Sequence, residues 1–90
     1  MPQDLDFYKK IQLTKRLQET LQLVAEGKSD VQIGGILGIS FDTAHGYRKD
    51  LRAIFDAHCS TQLVIKAVLL GFIDTDKIWG NTTEDPENPK

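Results

Sequence analysis

One short segment near the middle of the chain carries the side chains best suited to binding another molecule. His45, Arg48, Lys49 and Arg52 recur at helical spacing, and Gly46 lies among them. Arg and Lys donate hydrogen bonds to guanine edges and phosphate oxygens, and a residue without a side chain lets a helix approach a groove closely. The pattern therefore predicts a basic helix face that enters the major groove of DNA. The alternative is the solvated basic face of an ordinary helical hairpin.

The opposite side of this helix is apolar, and we expect it to face the core. Ser40 can cap the start of the helix, and Asp42 favours the positive end of the helix dipole. A recognition helix is therefore predicted over about 40–55. Its core side, at the spacing i, i+3, i+7 and i+10, is formed by Ala44, Tyr47, Leu51 and Ile54.

A second helix precedes this one. Ser29 and Gln32 have the spacing of a capping box, and Gly38 supplies the left-handed turn that ends a helix. Two helices joined by a turn of three or four residues with a glycine make a helix-turn-helix. The helical spacing predicts one core face for four apolar residues, namely Val31, Ile33, Ile36 and Leu37.

The outer helices are predicted on each side of this pair. Thr14 caps a helix that Gly27 ends, with Leu13 as a hydrophobic staple. Its core side is formed by Leu17, Leu21 and Val24. Ser60 or Thr61 caps the last helix, which Gly71 ends. Its predicted core side is formed by Leu63, Ala67 and Leu70.

The last helix has more apolar residues than one core face needs. Val64 and Val68 form a second stripe, Ile65 and Leu69 form a third, and Lys66 is its one charged residue. A helix that is apolar on nearly all sides exposes a large patch unless another chain covers it. We therefore expect a homodimer through this helix. Cover by the N-terminal arm or the C-terminal tail is the alternative.

The order of these landmarks resembles the LuxR-type (GerE-like) helix-turn-helix domain of bacterial transcription regulators. The resemblance implies an all-α fold of four helices, followed here by a polar C-terminal tail. In that fold the third helix enters the major groove and the fourth forms the dimer contact. Sigma-factor region 4 shares much of the first half, but the last helix fits the LuxR type better. The matching residues are Leu13, Thr14, Arg16, Leu21, Leu23, Gly27, Ser29, Ile33, Leu37, Gly38, Ile39, Ser40, Thr43, Leu63, Ala67, Gly71 and Ile73.

The resemblance also implies a role for individual residues. His45, Gly46 and Lys49 are expected to face base edges of double-stranded DNA. The dimer interface is expected to use Val64, Ile65, Val68 and Leu69. The expected phosphate contacts are Arg16, Lys28, Ser40, Thr43, Tyr47, Arg48 and Arg52.

Departures from the family pattern identify a divergent member, of bacterial or phage type. Three glycines lie inside predicted helices, Gly34, Gly35 and Gly46, and each costs about 1 kcal/mol relative to Ala. Other departures are Leu17 for the usual Glu, Thr20 and Ala44 for Val, and Tyr47 for His. These changes motivate a second hypothesis, a protein-binding regulator that pairs with a larger LuxR-type activator and antagonises or modulates it.

Charge is unevenly distributed along the 90 residues. The formal net charge is −2, but residues 9–66 carry nine basic and six acidic residues, whereas the segments 1–8 and 72–90 are acidic. This asymmetry is typical of a DNA-binding core with acidic ends. We predict an N-terminal arm at 1–12, the helix-turn-helix domain at 13–73, and an acidic tail at 74–90.

Several other functions are disfavoured by residue content. Cys59 is the single cysteine, which excludes an internal disulfide, and we expect it to be buried and reduced. With His45 and His58 as the only histidines, a four-ligand zinc site is not available. No phosphate-binding loop or catalytic arrangement is recognisable, so neither an enzyme nor a cofactor is predicted. The absence of a secretory signal or a membrane-length apolar run predicts a cytoplasmic protein without a membrane contact.

Overall fold

A computed structural model describes residues 11–78 of the chain, and four α-helices lie between residues 15 and 69. No strand occurs between residues 11 and 78. The predicted all-α, four-helix architecture is confirmed. The helices are α1 (Lys15–Ala25), α2 (Asp30–Leu37), α3 (Phe41–Ile54) and α4 (Ser60–Leu69).

The first three helices begin at the predicted caps. The hydroxyls of Thr14 and Ser40 each accept the amide three residues further on, at 3.2 and 3.0 Å. Ser29 and Gln32 form both bonds of the capping box, at 3.2 Å and 2.9 Å. Because these bonds join residues only three positions apart, the local sequence is sufficient to place them.

The predicted cap of α4 is wrong. Cys59 is the N-cap and makes no side-chain capping bond, and Ser60 is the first residue of the helix. The Ser60 hydroxyl instead accepts a hydrogen bond from Arg48 on α3. Gln62 reaches back, and its Oε1 accepts the amide of His58 at 2.8 Å. The prediction of a buried Cys59 is also wrong, because this corner before α4 lies at the surface.

Left-handed residues end α2 and α3. Gly38 has a φ of +72°, as predicted. At the end of α3 the corresponding position is taken by Asp56, with a φ of +54°, the one positive-φ residue other than glycine within residues 11–78. Lys66 Nζ on α4 donates to the carbonyls of Phe55 and Asp56, at 3.3 and 2.6 Å. A positive charge thereby lies at the negative end of the α3 dipole.

The core holds the inner side of α3 against the other helices. Ala44 and Leu51 are fully buried there. The rings of Phe55 and Phe72 pack edge-to-face, with 5.3 Å between their centroids. Tyr47 and Ile54, predicted for the same face, are half-buried. The predicted core sides of α1 and α4 are confirmed, with Leu17 and Leu70 half-buried against the core. The buried apolar residues are Leu21, Val24, Ile33, Ala44, Leu51, Phe55, Leu63, Ala67 and Ile73.

The predicted core face of α2 is only partly correct. Ile33 is fully buried and Leu37 packs against the core, but Val31 is 69% and Ile36 is 55% exposed. An eight-residue helix makes about two turns, so only a narrow strip of it contacts the rest of the fold. That strip is formed by the buried Ile33 and Gly34 and by the partly buried Leu37.

The segment after α4 returns to α1. Gln18 Nε2 donates to the carbonyl of Phe72 at 2.6 Å. Gln22 binds both backbone groups of Asp74: its Oε1 accepts the amide at 2.8 Å, and its Nε2 donates to the carbonyl at 3.1 Å. Residues 75–78 are helical, and Ile78 packs against the core. Most of the predicted arm, and the predicted tail from residue 79 on, lie outside the described residues.

Candidate nucleic-acid interface

The outer side of α3 presents the predicted base-reading residues together. His45 and Lys49 are exposed and lie one helical turn apart, with Gly46 between them. A Cβ added to Gly46 would meet no atom within 4 Å, so the surface over this residue is open. His45, the half-buried Gly46 and Lys49 form one slim strip on the outer side of α3, which we name the reading strip.

Arg48, which the sequence pattern places on the same exposed basic face, turns into the fold. Its side chain is only 16% exposed. Nε donates to Asp30 Oδ1 at 2.7 Å, Nη1 donates to Ser60 Oγ at 2.8 Å, and Nη2 donates to the carbonyl of Lys28 at 3.1 Å. Arg48 thus joins α3 to the start of α2, to the start of α4 and to the turn after α1. The predicted phosphate contact of Arg48 stays a prediction, with two N–H groups left for it.

His45 is held at one edge and on one face of its ring. Nδ1 lies 3.0 Å from Asp30 Oδ2, and the Phe41 ring stacks at 6.0 Å between centroids and 11° between planes. The His45 side chain is still 50% exposed, whereas that of Asp30 is 15% exposed. The ring orientation is therefore set by α2 and by the first turn of α3, while the rest of the ring faces outward.

Asp30 is the electrostatic centre of this cluster. Burial raises the pKa of its carboxyl, but the hydrogen bonds from His45 and Arg48 and the positive charge of Arg48 outweigh burial, so that the pKa is lowered from its ordinary value. The carboxyl group is therefore ionised near neutral pH. An ionised carboxylate only accepts hydrogen bonds, which makes Asp30 an acceptor for both neighbours.

Two of the predicted phosphate-binding residues lie at the start of α3. Ser40 Oγ accepts the Thr43 amide and donates to Thr43 Oγ1 at 2.9 Å, and both side chains are exposed. Since Thr43 Oγ1 is the acceptor in that pair, its own hydroxyl proton is left to donate elsewhere. Amides at a helix N-terminus also favour anions, so this corner suits a phosphate oxygen.

The remaining basic candidates differ in the ion pairs and hydrogen bonds that their side chains already make within the fold. Arg16 is exposed and pairs with Glu19 at 3.1 Å. Lys28 is half-buried, and no ion pair of its side chain occurs within residues 11–78. Arg52 is half-buried on the last turns of α3, where its Nε is buried without a hydrogen-bond partner among the described residues.

The predicted dimer residues on α4 are mostly exposed to solvent in the single chain. Ile65 is 53%, Val68 is 37% and Leu69 is 79% exposed, whereas Val64 is half-buried and packs against the core. Three neighbouring apolar side chains on one helix thus face solvent. They form a continuous patch, which we name the α4 patch.

Sequence reasoning missed Asp30 and Ser60 as members of the site. Asp30 reads as a favourable charge in the first turn of α2, and Ser60 reads as a cap. Their link to Arg48 spans 18 and 12 positions and requires three helices to be packed. The one available signal was the opposite charge of Asp30 and Arg48, which does not identify a pair by itself.

No group of three or more His, Cys, Asp or Glu side chains is arranged to hold a metal ion within residues 11–78. None of the helices in this part of the chain has the length and apolarity needed to cross a bilayer.

The chain is similar to known proteins in sequence and in fold. The sequence model for bacterial regulatory proteins of the luxR family matches residues 11–67. An uncharacterised response regulatory protein of Escherichia coli (strain K12), YgeK, is 35% identical over 60 residues. The VqmA dimer of Vibrio cholerae, described as a LuxR-type receptor with a target DNA, is 33% identical and superposes with a TM-score of 0.69.

The match covers this chain more fully than it covers the relatives. It includes 67% of this chain but 41% of YgeK, and 79% of this chain but 33% of VqmA. The chain therefore spans less than half the length of each of these two proteins.

Proposed function

The chain belongs to the luxR family of bacterial regulatory proteins, and on that basis we propose that it is a sequence-specific DNA-binding transcription regulator that acts as a homodimer. The observation that supports this most is the reading strip of α3. His45 and Lys49 are exposed and Gly46 is half-buried between them, on one side of a helix whose other side is anchored by the buried Ala44 and Leu51. A rigid helix with a slim outer face and outward donors suits the major groove.

Each residue of the strip has a proposed part in reading bases. Lys49 donates to guanine O6 or N7, since an ammonium group has donors only. His45 contacts a base edge one turn earlier, and Gly46 allows the backbone of α3 to approach the groove floor. Because the core and the Arg48 bonds hold the helix that carries the strip, little backbone ordering is needed on binding.

Phosphate contacts would surround the strip. Ser40 and Thr43 offer hydroxyls at the start of α3, Arg52 lies at its end, and Tyr47 lies on its flank. Lys28 and Arg16 are proposed as outer contacts. For Arg48 we propose mainly a positioning role, since three of its donors already hold α2, α4 and the turn after α1 to the recognition helix.

The α4 patch is proposed as the homodimer interface. Ile65, Val68 and Leu69 lose their exposure if two copies of α4 pack together, and the apolar area removed from water favours pairing. Two copies of α3 would then read a two-fold related site, with half-sites separated by about one helical turn of DNA.

The experiment that tests the proposal is selection from a random duplex pool at low salt, followed by fluorescence anisotropy of the enriched duplex across a salt series. An inverted repeat, with affinity that falls steeply as salt rises, is the expected result. Absence of enrichment, with a folded protein, contradicts the proposal.

A second candidate function also uses the α4 patch. The patch suits pairing with the α4 of a larger LuxR-type activator, and such a heterodimer would antagonise or modulate that activator. Size-exclusion chromatography with light scattering, on mixtures with a LuxR-type activator, tests this function. A stable mixed dimer without intrinsic DNA affinity supports it, whereas tight binding of a defined duplex by the purified chain alone favours the DNA-reader. In both cases we propose a cytoplasmic protein without enzymatic activity.

A further inference from the structure

The two nitrogens of the His45 ring have different surroundings. Nδ1 lies 3.0 Å from Asp30 Oδ2, and no hydrogen bond to Nε2 occurs within residues 11–78. The Phe41 ring, stacked at 6.0 Å, keeps the imidazole plane in place. With the His45 side chain 50% exposed, the unbonded Nε2 is the nitrogen left for a ligand.

The partner of Nδ1 is itself fixed by a third residue. Arg48 donates to the other carboxylate oxygen of Asp30, at 2.7 Å, so the carboxylate cannot rotate without losing that bond. An ionised carboxylate has no proton to give, and the pKa of Asp30 is lowered. Nδ1 must therefore be the donor in the His45–Asp30 bond. A neutral imidazole with its proton on one nitrogen has a lone pair on the other.

We propose that Asp30 is a specificity-determining positioning residue, which holds neutral His45 as the Nδ1–H tautomer so that Nε2 accepts a hydrogen bond from a base amine. In the major groove such amines are N6 of adenine and N4 of cytosine. This inference rests on the proposed function, because it names the base chemistry that the reading strip selects.

The proposal gives the reading strip two opposite chemistries. Lys49 only donates and therefore needs an acceptor, for which guanine O6 or N7 is proposed, while His45 Nε2 accepts and therefore selects an amine. The two side chains lie one turn apart on α3. Each half-site should then contain a guanine and, at a neighbouring base pair, an adenine or a cytosine whose amine is contacted.

The tautomer can be measured without DNA. Long-range ¹H–¹⁵N correlation spectra of the ¹⁵N-labelled chain, recorded at mildly alkaline pH where an ordinary imidazole is neutral, distinguish protonated from lone-pair ring nitrogens. We expect the proton of His45 on Nδ1, and His58 serves as an internal reference. A proton on Nε2 of His45 in the wild-type chain overturns the proposal.

The variant Asp30→Asn should invert the tautomer. Arg48 requires an acceptor, so the Asn oxygen takes the place of Oδ1 and the amide NH₂ faces His45. Nδ1 then becomes the acceptor, and the proton moves to Nε2. Arg48→Lys is the matched control, because it alters the same cluster but leaves residue 30 a carboxylate, which can only accept a hydrogen bond from Nδ1. An unchanged tautomer in Asp30→Asn, with the fold intact by circular dichroism, overturns the assignment to Asp30.

The base preference is then tested on the enriched duplex. His45→Ala locates the base pair that His45 reads, and Lys49→Ala should affect a different one. Replacing the contacted base with an analogue without its exocyclic amine should weaken wild-type binding roughly three- to tenfold, and should leave the affinity of Asp30→Asn nearly unchanged. A loss caused instead by a 7-deaza purine, which lacks the N7 acceptor, overturns the base assignment. If no duplex binds at all, the proposed function fails, while the spectra still decide the tautomer.

Discussion

Gly34 on α2 lies directly against the carbonyl of Ile39 in the turn before α3. A Cβ added to residue 34 would be 2.7 Å from that oxygen, closer than two such atoms can stand. The amide of Ile39 in turn donates to the carbonyl of Gly34 at 2.9 Å. The turn of the helix-turn-helix is therefore packed at a distance that excludes any side chain at position 34.

Alanine substitutions at Gly34 and Gly35 should have opposite effects on stability, because an added Cβ clashes at Gly34 and meets open space at Gly35. Gly34→Ala should lower the free energy of unfolding by about 1–3 kcal/mol, because the added methyl has to push a backbone carbonyl away. Gly35→Ala should raise it by roughly 0.5–1 kcal/mol, because its Cβ meets no atom within 4 Å and the helix gains a better helix former. Urea unfolding of both variants checks the pair, and changes of the same sign would contradict it.

Asp56 provides a second test of backbone geometry. Its φ of +54° is costly for a residue with a Cβ, by about 1 kcal/mol or more. Asp56→Gly should therefore raise the free energy of unfolding by about 0.5–1 kcal/mol. Asp56→Ala is the control: it keeps the Cβ, so no such gain is expected from it. Thermal unfolding followed by circular dichroism measures both variants.

The Asp30 cluster makes the free energy of unfolding depend on pH. Because the pKa of Asp30 is lowered in the folded chain, its ionised form contributes stability above the ordinary aspartate pKa of about 3.9, and that contribution is lost as pH falls through the lower folded pKa. Asp30→Asn should therefore be less stable than wild type at neutral pH, with a difference that shrinks below about pH 4. Unfolding free energies measured across this range provide the check. A difference that does not vary with pH would show that Asp30 is not linked to acid unfolding.

Lys49 and Arg52 separate base reading from phosphate binding. Lys49→Ala should cost about 1–3 kcal/mol on the best duplex and relax the preference at one base pair. Arg52→Ala should weaken all duplexes alike and reduce the salt slope by about 1. Anisotropy titrations on matched and mismatched duplexes measure both effects. Equal loss on every duplex for Lys49→Ala would remove it from the reading strip.

A charge placed in the α4 patch should dissociate the proposed homodimer. Leu69→Lys should raise the dimer dissociation constant tenfold or more, because a charge replaces the most exposed apolar residue of the proposed interface. Val31→Lys is the matched control, since Val31 is similarly exposed at 69% but lies on α2. Sedimentation velocity over a concentration series measures the constant. A monomeric wild-type chain, or an equal effect of both variants, contradicts the assignment.

Local sequence signals were sufficient for much of the fold. The capping box of Ser29 and Gln32, the cap at Ser40 and the left-handed Gly38 are all decided by neighbours within four positions, and all three are confirmed. The buried positions Leu63 and Ala67 follow the helical repeat over a ten-residue helix. Such features depend on few residues, and tertiary packing did not override them.

The remaining features depend on contacts between distant residues. The orientation of Arg48 follows from the positions of Asp30 and Ser60 on two other helices, so a helical wheel of α3 alone places it with the exposed residues. The exposure of Val31 likewise follows from how α2 lies on its neighbours. In both cases hydrophobic or charge periodicity narrows the choice of face, and the packing of the helices decides it.

The hydrogen bonds of Gln18 and Gln22 close the fold between its first helix and the segment after its last. They join positions 54 and 52 residues apart. When this segment leaves α1, it opens the Asp74 amide to solvent, uncovers Ile73 and breaks the ring contact between Phe55 and Phe72. In native-state hydrogen exchange, the Asp74 amide should exchange with the slow amides of α1 as one cooperative unit, although it lies near the surface.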